Sequence, residues 1–310
     1  MVALIKTSPT GKDLIQAALA ANENGTGNEL IKVAETSAGK PVFRLSWKAK
    51  KGFFKSLGYK PHPGQKAYHK SLDRTRLLCG GARFGKSMAG GYDVAGELLI
   101  PGKRGWIVGD TYNDSEKEFR YIHDALLENP DKAIRDFVKE NVRSIGRNAK
   151  QGQLWVRFKA PLNSFVEGRS ADRPNTLLGE ELDFCIFAEG SQLEKFILDK
   201  YIRQRLASRV GHLDIPTTPA GFDDLLHPLF EKGQDKANHY GNTDYFDSIR
   251  SWQFSSDVNP HYPKEEIESA KRRVREGSLD KATYEEQYLG LFTSHSGRVY
   301  PQFDRDWETK

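Results

Sequence analysis

The sequence of 310 residues predicts an α/β protein with a mostly parallel central sheet flanked by helices. Short apolar or β-branched runs alternate with helical stretches between about residues 59 and 221, which is the pattern of such a domain. The predicted strands are residues 76–79, 105–109, 154–158, 184–187 and 212–215. The clearest predicted helices between them are residues 87–99, 115–127 and 193–206.

Residues 1–58 are predicted to form an N-terminal accessory arm before this core. Thr10 is placed to cap a helix over residues 11–21, and the polar stretch 22–28 then ends it. A second short helical pattern runs from residue 29 to about residue 36.

After the core, residues 222–295 are predicted to form a small helical lid subdomain. Past Gly221 the sequence becomes mostly helical, with residues 264–276 and 280–289 as the clearest cases. The core itself is assigned to residues 59–221.

Composition excludes some classes of protein. No apolar run approaches the roughly 20 residues that span a bilayer, so no membrane association is expected. The net charge of +5 is compatible with a nucleic-acid partner but identifies neither fold nor ligand. Cys79 and Cys185 have no Cys or His neighbour at metal-ligand spacing. They are predicted to be buried reduced thiols rather than zinc ligands or a disulfide.

A phosphate-binding loop follows the first core strand. Residues 80–87 satisfy the pattern G-x-x-x-x-G-K-[ST], the Walker A motif, with a strand before it and a helix after it. Its glycines let successive N–H groups face a phosphate, and the helix N-terminus adds partial positive charge. Lys86 is predicted to reach the β- and γ-phosphates and Ser87 to ligate Mg²⁺. The predicted ATP-binding residues of this loop are Gly80, Gly81, Ala82, Arg83, Phe84, Gly85, Lys86 and Ser87.

Arg83, within the loop, and Gln65, before it, are predicted to have further roles. Arg83 adds a cation that is placed to stabilise charge on the γ-phosphate in the transition state. Gln65 lies ten residues before the Walker strand, and its amide suits the N6/N7 edge of adenine. The alternatives are a surface arginine that points to solvent and an ordinary helical glutamine.

Glu189 is the predicted catalytic base. It follows the apolar run 184–187, which would deliver its carboxylate to the tip of a buried strand, where it could polarise the attacking water. A P-loop ATPase usually has Asp-Glu at this point, and Ala188 occupies the Asp position. Either the site is a natural variant that retains Glu189 alone, or Ala188 is an inactivating substitution.

A third strand end carries hydroxyl groups. Thr217 and Thr218 follow residues 212–215, where side chains beside a nucleotide can sense the γ-phosphate and move the segment that follows. An ordinary loop is the alternative.

These segments together resemble the ATPase region of large terminase subunits, the motors that package phage and herpesvirus DNA. The resemblance covers roughly residues 55–304, and the motifs occur in the family order. The segments that carry it are residues 61–65, 80–87, 107–112, 168–179, 189–192, 203–211, 217–221, 289–292 and 297–304. It implies a P-loop fold of the ASCE, RecA-like type, with ATP and Mg²⁺ as cofactors, and it makes Thr217 and Thr218 part of a coupling motif.

The resemblance also implies partners. Such motors work as homo-oligomeric rings, usually pentamers, on a capsid portal, where a small terminase subunit guides them to double-stranded DNA. This places the chain in the host cytoplasm, on the procapsid portal during packaging, and not in the mature virion. An arginine of the neighbouring subunit typically completes the site, and the candidates are Arg143, Arg147, Arg169 and Arg173.

No nuclease activity is expected from this chain. Residues 296–310 resemble the start of the linker to the nuclease domain, whose acidic residues hold two metal ions on a sheet. Asp304, Asp306 and Glu308 are acidic and close together, but no strand is predicted to hold them.

Three functions compete on the sequence alone. The first is an ATPase that translocates double-stranded DNA. The second is a helicase-like, nucleic-acid-dependent ATPase, although no second RecA-like domain with an arginine pair is visible. The third is a nucleotide-binding subunit that hydrolyses little because of Ala188.

Overall fold

The computed structural model describes residues 10–24 and 30–294. The predicted linker at 296–310, with Asp304, Asp306 and Glu308, lies outside these residues. The strands are β1 Lys32–Glu35, β2 Pro41–Phe43, β3 Thr75–Gly80, β4 Arg104–Gly109, β5 Val142–Asn148, β6 Gln153–Phe158, β7 Phe165–Ser170, β8 Phe184–Phe187, β9 His212–Thr217 and β10 Ile249–Phe254. The α-helices are α1 Gly11–Asn24, α2 Trp47–Ser56, α3 Pro63–Lys70, α4 Lys86–Ala95, α5 Tyr112–Leu127, α6 Lys132–Asn141, α7 Arg203–Ala207, α8 Leu226–Gln234, α9 Lys264–Arg275 and α10 Lys281–Tyr284.

An eight-stranded sheet organises the chain, in the order β10-β3-β9-β8-β4-β7-β6-β5. The strands from β10 to β7 are all parallel, and β6 and β5 continue the sheet in antiparallel pairs. The strand that precedes Glu189, β8, is separated from the strand that precedes the P-loop, β3, by β9. This intervening strand is the arrangement that the ASCE type requires, and it confirms the predicted fold class.

Helices cover both faces of this sheet. In β4, Ile107 packs into one apolar core with α1, α2, α4, α5 and α6, whereas its neighbours Trp106 and Val108 pack into a second core with α7 and α8. Alternation of this kind follows from the two-residue repeat of a strand. The sheet is therefore buried on both sides, as parallel sheets usually are.

The five strands predicted from sequence are confirmed, and three further strands of the sheet, β5, β7 and β10, were not predicted. β5 and β7 contain arginine, glutamate or glycine instead of a continuous apolar run. β10 lies within residues 222–295, which were predicted to be mostly helical, so this part of the predicted helical lid is a strand of the sheet. It pairs with β3 along its whole length. The division of the chain into domains stays a prediction.

Several predicted helices differ in detail. The helical pattern at residues 29–36 is wrong, because Lys32–Glu35 is β1, which pairs with β2. The predicted helix 193–206 is a wider π-type turn at Ile197–Ile202 followed by α7. The predicted helix 280–289 is α10 followed by a second such turn, Glu285–Leu289.

A network of buried charges lies between β3, β9 and the helices α2 and α4. Its cations are Arg44, Lys50 and Arg76, its carboxylates are Asp93, Glu97 and Asp214, and all six are at most 1% exposed. Arg76 joins the two halves, since it donates to Asp93 at 2.6 Å and to Asp214 at 2.7 Å. Equal numbers of opposite charges let the network be buried without a net charge.

Cys79 and Cys185 are buried in β3 and β8 as free thiols, as predicted. Among the described residues, no helix is both long and apolar enough to cross a bilayer.

Candidate active site

The predicted site residues converge at the carboxyl edge of the sheet. The P-loop follows β3, Glu189 follows β8, and Thr217 ends β9. Parallel strands leave their carboxyl ends at one edge, which is where open α/β sheets bind ligands.

The P-loop bends through two residues of positive φ, Arg83 at 63° and Gly85 at 95°. A Cβ at Gly85 would lie 2.6 Å from the Nε2 atom of Gln65, so glycine is required by both conformation and space. α4 then begins at Lys86, and the first N–H groups of a helix have no partner within it. The loop therefore presents these donors towards the edge of the sheet.

The first half of the loop is held by the C-terminal part of the chain. The N–H of Gly81 donates to Phe254 at 3.0 Å, and the N–H of Ala82 donates to Gln287 at 2.6 Å. Ser256 Oγ donates to the carbonyl of Ala82 at 2.6 Å. Two of the predicted phosphate donors are thus engaged within the protein in this structure.

Gln65 is buried beneath the loop and does not face an open site. Its Nε2 donates to the carbonyl of Gly85 at 3.1 Å, and its Oε1 accepts from the N–H of His62 at 3.3 Å. With both ends of the amide used, Gln65 braces the P-loop in this conformation. Contact of Gln65 with adenine stays a prediction.

Lys86 is 8% exposed and folds over its own loop, where Nζ donates to the carbonyl of Gly81 at 2.9 Å. Burial lowers the pKa of Lys86 to about 8, and the carboxylate of Glu189 opposes the shift. The predicted phosphate-binding cation and the predicted base are therefore electrostatic neighbours.

Glu189 leaves β8 in the left-handed region, with φ of 49°. A non-glycine residue held there is uncommon and costs free energy, and such positions cluster at functional sites. Its Oε1 accepts from Lys117 Nζ at 3.1 Å. Lys117 was not predicted, because nothing in the sequence signals that α5 crosses beside Glu189.

Ala188 is fully buried, and its methyl group belongs to the apolar core that contains Ile186 and Phe119. Its N–H donates to the carbonyl of Val108. No carboxylate reaches the site from this strand position.

Glu118, on α5, lies at the site but was not predicted from the sequence. It is completely buried beside the Ser87 hydroxyl, and burial raises the pKa of Glu118 to about 7, with Ser87 opposing the shift. Magnesium prefers hard oxygen ligands such as carboxylates and hydroxyls, so the Ser87 and Glu118 side chains fit the ion that the motif implies. The available signal was a charged residue on the buried face of a helix, with Ser115, Phe119 and Ile122.

Thr217 and Thr218 lie where the coupling prediction placed them, at the end of β9. Thr217 is buried, and its hydroxyl accepts from the N–H of Ser191, just after Glu189, at 3.0 Å. Farther along, the N–H of Gly221 donates to Glu286 at 2.7 Å. This segment therefore connects the predicted base, Glu189, to the C-terminal turn that holds the P-loop.

The arginines differ in location. Arg143 is the second residue of β5 and lies near the opposite, amino edge of the sheet, whereas Arg147, Arg169 and Arg173 lie towards the carboxyl edge. Arg147 pairs with Asp124, and Arg169 pairs with Glu167. Arg83 and Arg173 are exposed, and neither makes an ion pair within the described part of the chain.

The proteins found to be similar to this chain in sequence and in structure are large terminase subunits. The large terminase subunit of Thermus virus P23-45 is 29% identical over 273 residues, which are 81% of this chain and 53% of that protein. The large terminase ATPase domain of Thermus phage P74-26 is 28% identical with a TM-score of 0.62, over 81% of this chain and all of that one.

A structure of the large terminase from another thermophilic bacteriophage, in complex with ADP, is 15% identical with a TM-score of 0.51, over 79% of this chain and 56% of that one, and it supports the fold alone. No protein-family model matches. The chain spans about half the length of the curated relatives it matches. Over four-fifths of its length, and with the P-loop and Glu189 at one sheet edge, the chain is similar in sequence and fold to the ATPase domains of bacteriophage large terminase subunits.

Proposed function

We propose that this chain is a DNA-packaging motor ATPase, which couples ATP hydrolysis to translocation of double-stranded DNA into a procapsid. The observation that carries the proposal is the meeting of Lys86, Ser87 and Glu189 at one sheet edge in a relative of terminase ATPase domains. The relatives reported above are terminases, which favours the motor over a helicase-like ATPase.

Different residues of the chain are assigned to phosphate binding, to Mg²⁺ binding, to proton transfer and to coupling. The N-terminus of α4 and Lys86 bind the phosphates, and Ser87 contributes to holding Mg²⁺, which would neutralise phosphate charge when bound. Glu189 accepts a proton from the attacking water, provided that it leaves Lys117. The contact between Thr217 and Ser191 would pass the state of the γ-phosphate to the segment after β9.

The function is tested by ATP hydrolysis and translocation on linear DNA. We expect Mg²⁺-dependent hydrolysis that rises with double-stranded DNA and is lost in Lys86→Ala. A translocase moves along intact duplex DNA. It should therefore displace a third oligonucleotide strand bound to the duplex without separating the two strands of the duplex itself. Duplex separation would favour the helicase-like alternative. Absence of hydrolysis with duplex DNA in the wild type would contradict the proposal.

The assembled state is part of the same proposal. We propose a ring, most simply a pentamer, that acts with the portal protein and the small terminase subunit in the host cytoplasm. Arg173 is the best placed of the four candidates for the arginine supplied in trans. It is exposed, lies towards the carboxyl edge, and makes no ion pair among the described residues.

Mixing two inactive variants tests that arginine. Arg173→Ala keeps an intact P-loop and base, and Glu189→Gln keeps an intact Arg173. If the arginine acts between subunits, the mixture should hydrolyse ATP faster than either variant alone, because some interfaces combine both intact halves. Arg143→Ala, at the opposite edge, is the control and should keep wild-type activity. Failure of the mixture to recover activity would exclude Arg173 from this role.

A further inference from the structure

Glu118 is a buried carboxylate whose two oxygens accept no hydrogen bond from the described part of the chain. It is 0% exposed, and neither Oε1 nor Oε2 has a hydrogen-bond partner among the described residues. Buried polar groups are normally satisfied, and an unsatisfied one costs roughly 1–3 kcal/mol. A purely structural carboxylate would be expected to have donors around it.

Close packing of two helices places Glu118 at the P-loop. Gly91 lies one turn after Ser87 on α4, and a Cβ at Gly91 would be 2.9 Å from the carbonyl oxygen of Glu118. Because residues four apart share a helix face, the absent side chain at Gly91 brings α5 against the face that carries Ser87. The Ser87 hydroxyl is close enough to influence the charge of Glu118 but lies outside hydrogen-bonding geometry.

The neighbouring cations donate their hydrogen bonds elsewhere, although the charge of Lys117 favours the ionised form of Glu118. Lys86 Nζ donates to Gly81, and Lys117 Nζ donates to Glu189. Glu189 is itself near enough to disfavour the charged form of Glu118. Two carboxylates and a hydroxyl therefore converge beside the N-terminus of α4, and this group of oxygens fits a divalent cation.

Ala188 leaves the strand without the acidic residue that P-loop ATPases usually place before the base. We propose that Glu118 takes its place, so that a carboxylate from α5 steadies the Mg²⁺ of the bound nucleotide together with Ser87. The inference rests on the proposed nucleotide-binding function. It also explains why Ala188 need not indicate an inactive site.

The coupling between Mg²⁺ and nucleotide affinity tests this assignment without hydrolysis. AMP-PNP binding is titrated by calorimetry at a series of MgCl₂ concentrations and in EDTA, for wild type and Glu118→Gln. We expect Glu118→Gln to weaken the apparent Mg²⁺ affinity about 10–100-fold, the range seen when supporting groups of metal sites are removed. Affinity for AMP-PNP in EDTA should be unchanged, because the glutamine keeps the shape of the side chain.

Three further variants make the result specific. Ser87→Ala should reproduce the loss of Mg²⁺ coupling, and Glu116→Gln, on the same helix and partly exposed, should not change it. If Glu118→Gln does not fold, Glu118→Asp keeps the charge at a shorter reach and should give a partial loss. Mn²⁺ bound with AMP-PNP should show an altered electron paramagnetic resonance spectrum in Glu118→Gln.

Two outcomes overturn the assignment. One is wild-type Mg²⁺ coupling in Glu118→Gln. The other is equal weakening of AMP-PNP binding with and without Mg²⁺, which would show that Glu118 only supports the shape of the loop. A wild-type chain that binds no AMP-PNP under any condition would instead reject the proposed function itself.

Discussion

Glu189→Gln should lower the turnover number for ATP by about 10²–10⁴-fold, the range expected for loss of a general base. The substitution keeps the size of the side chain and can still accept a hydrogen bond from Lys117, so the site should retain its shape. ATP affinity should remain close to that of wild type, because the phosphates are held by the loop and by Lys86.

Lys86→Ala should differ from Glu189→Gln by losing affinity for ATP as well as turnover. Lys86 is 8% exposed within the loop, and its ammonium group is expected to contact the ground-state phosphates, so its removal should weaken nucleotide binding together with turnover. Equal ATP affinity in wild type and Lys86→Ala would contradict the P-loop assignment.

Steady-state kinetics with separate equilibrium binding distinguish the two variants. Glu194→Gln provides the matched control, since Glu194 is an exposed carboxylate shortly after Glu189 and should tolerate the change. If Glu189→Gln hydrolysed ATP at the wild-type rate, another group would have to activate the water, and Glu118, which interacts with Glu189, would be a candidate.

The core strands and the P-loop could be predicted because their signals are local. β8 is a run of four apolar residues that ends before a glutamate, and the Walker A spacing determines a loop between a strand and a helix. β10 could not be predicted in the same way, since Ile249–Phe254 mixes apolar residues with arginine, serine and glutamine. Only its pairing with β3 makes it a strand of the sheet.

The missing site residues depend on tertiary packing. Glu118 and Lys117 reach the site because Gly91 lets α5 approach α4, and that approach joins segments far apart in sequence. Gln65 lies beside the loop, as its sequence position suggested, but the sequence does not show that both ends of its amide bond to Gly85 and His62. Motif spacing identifies which segments meet, but it does not show which of their atoms are free to bind a ligand.

Arg76→Met should destabilise the folded chain by about 3–5 kcal/mol, the cost expected when one partner of a buried ion pair is removed. Arg76 is fully buried and donates to both Asp93 and Asp214. Without it, the remaining ion-pair partner of Asp214 among the described residues is His212 at 3.5 Å, and burial lowers the pKa of His212, which favours its neutral form. Urea unfolding measures the loss. Arg104→Met, at a pair about 40% exposed, should cost under about 1 kcal/mol.

At acid pH, the difference in unfolding free energy between the wild type and Arg76→Met should become smaller. Arg76 holds the pKa values of Asp93 and Asp214 below their usual range against the opposing effect of burial. A carboxylate with a depressed pKa in the folded state contributes stability above its unfolded pKa of about 4 and loses that contribution as the pH falls. The wild type should therefore lose more stability than Arg76→Met below about pH 4.

The double variant Arg76→Met with Asp214→Asn should recover part of the loss at neutral pH, because it no longer buries an unpaired charge. A deficit that is independent of pH and unaffected by Asp214→Asn would mean that Arg76 stabilises the fold through its packing against Tyr68 instead of through its charge.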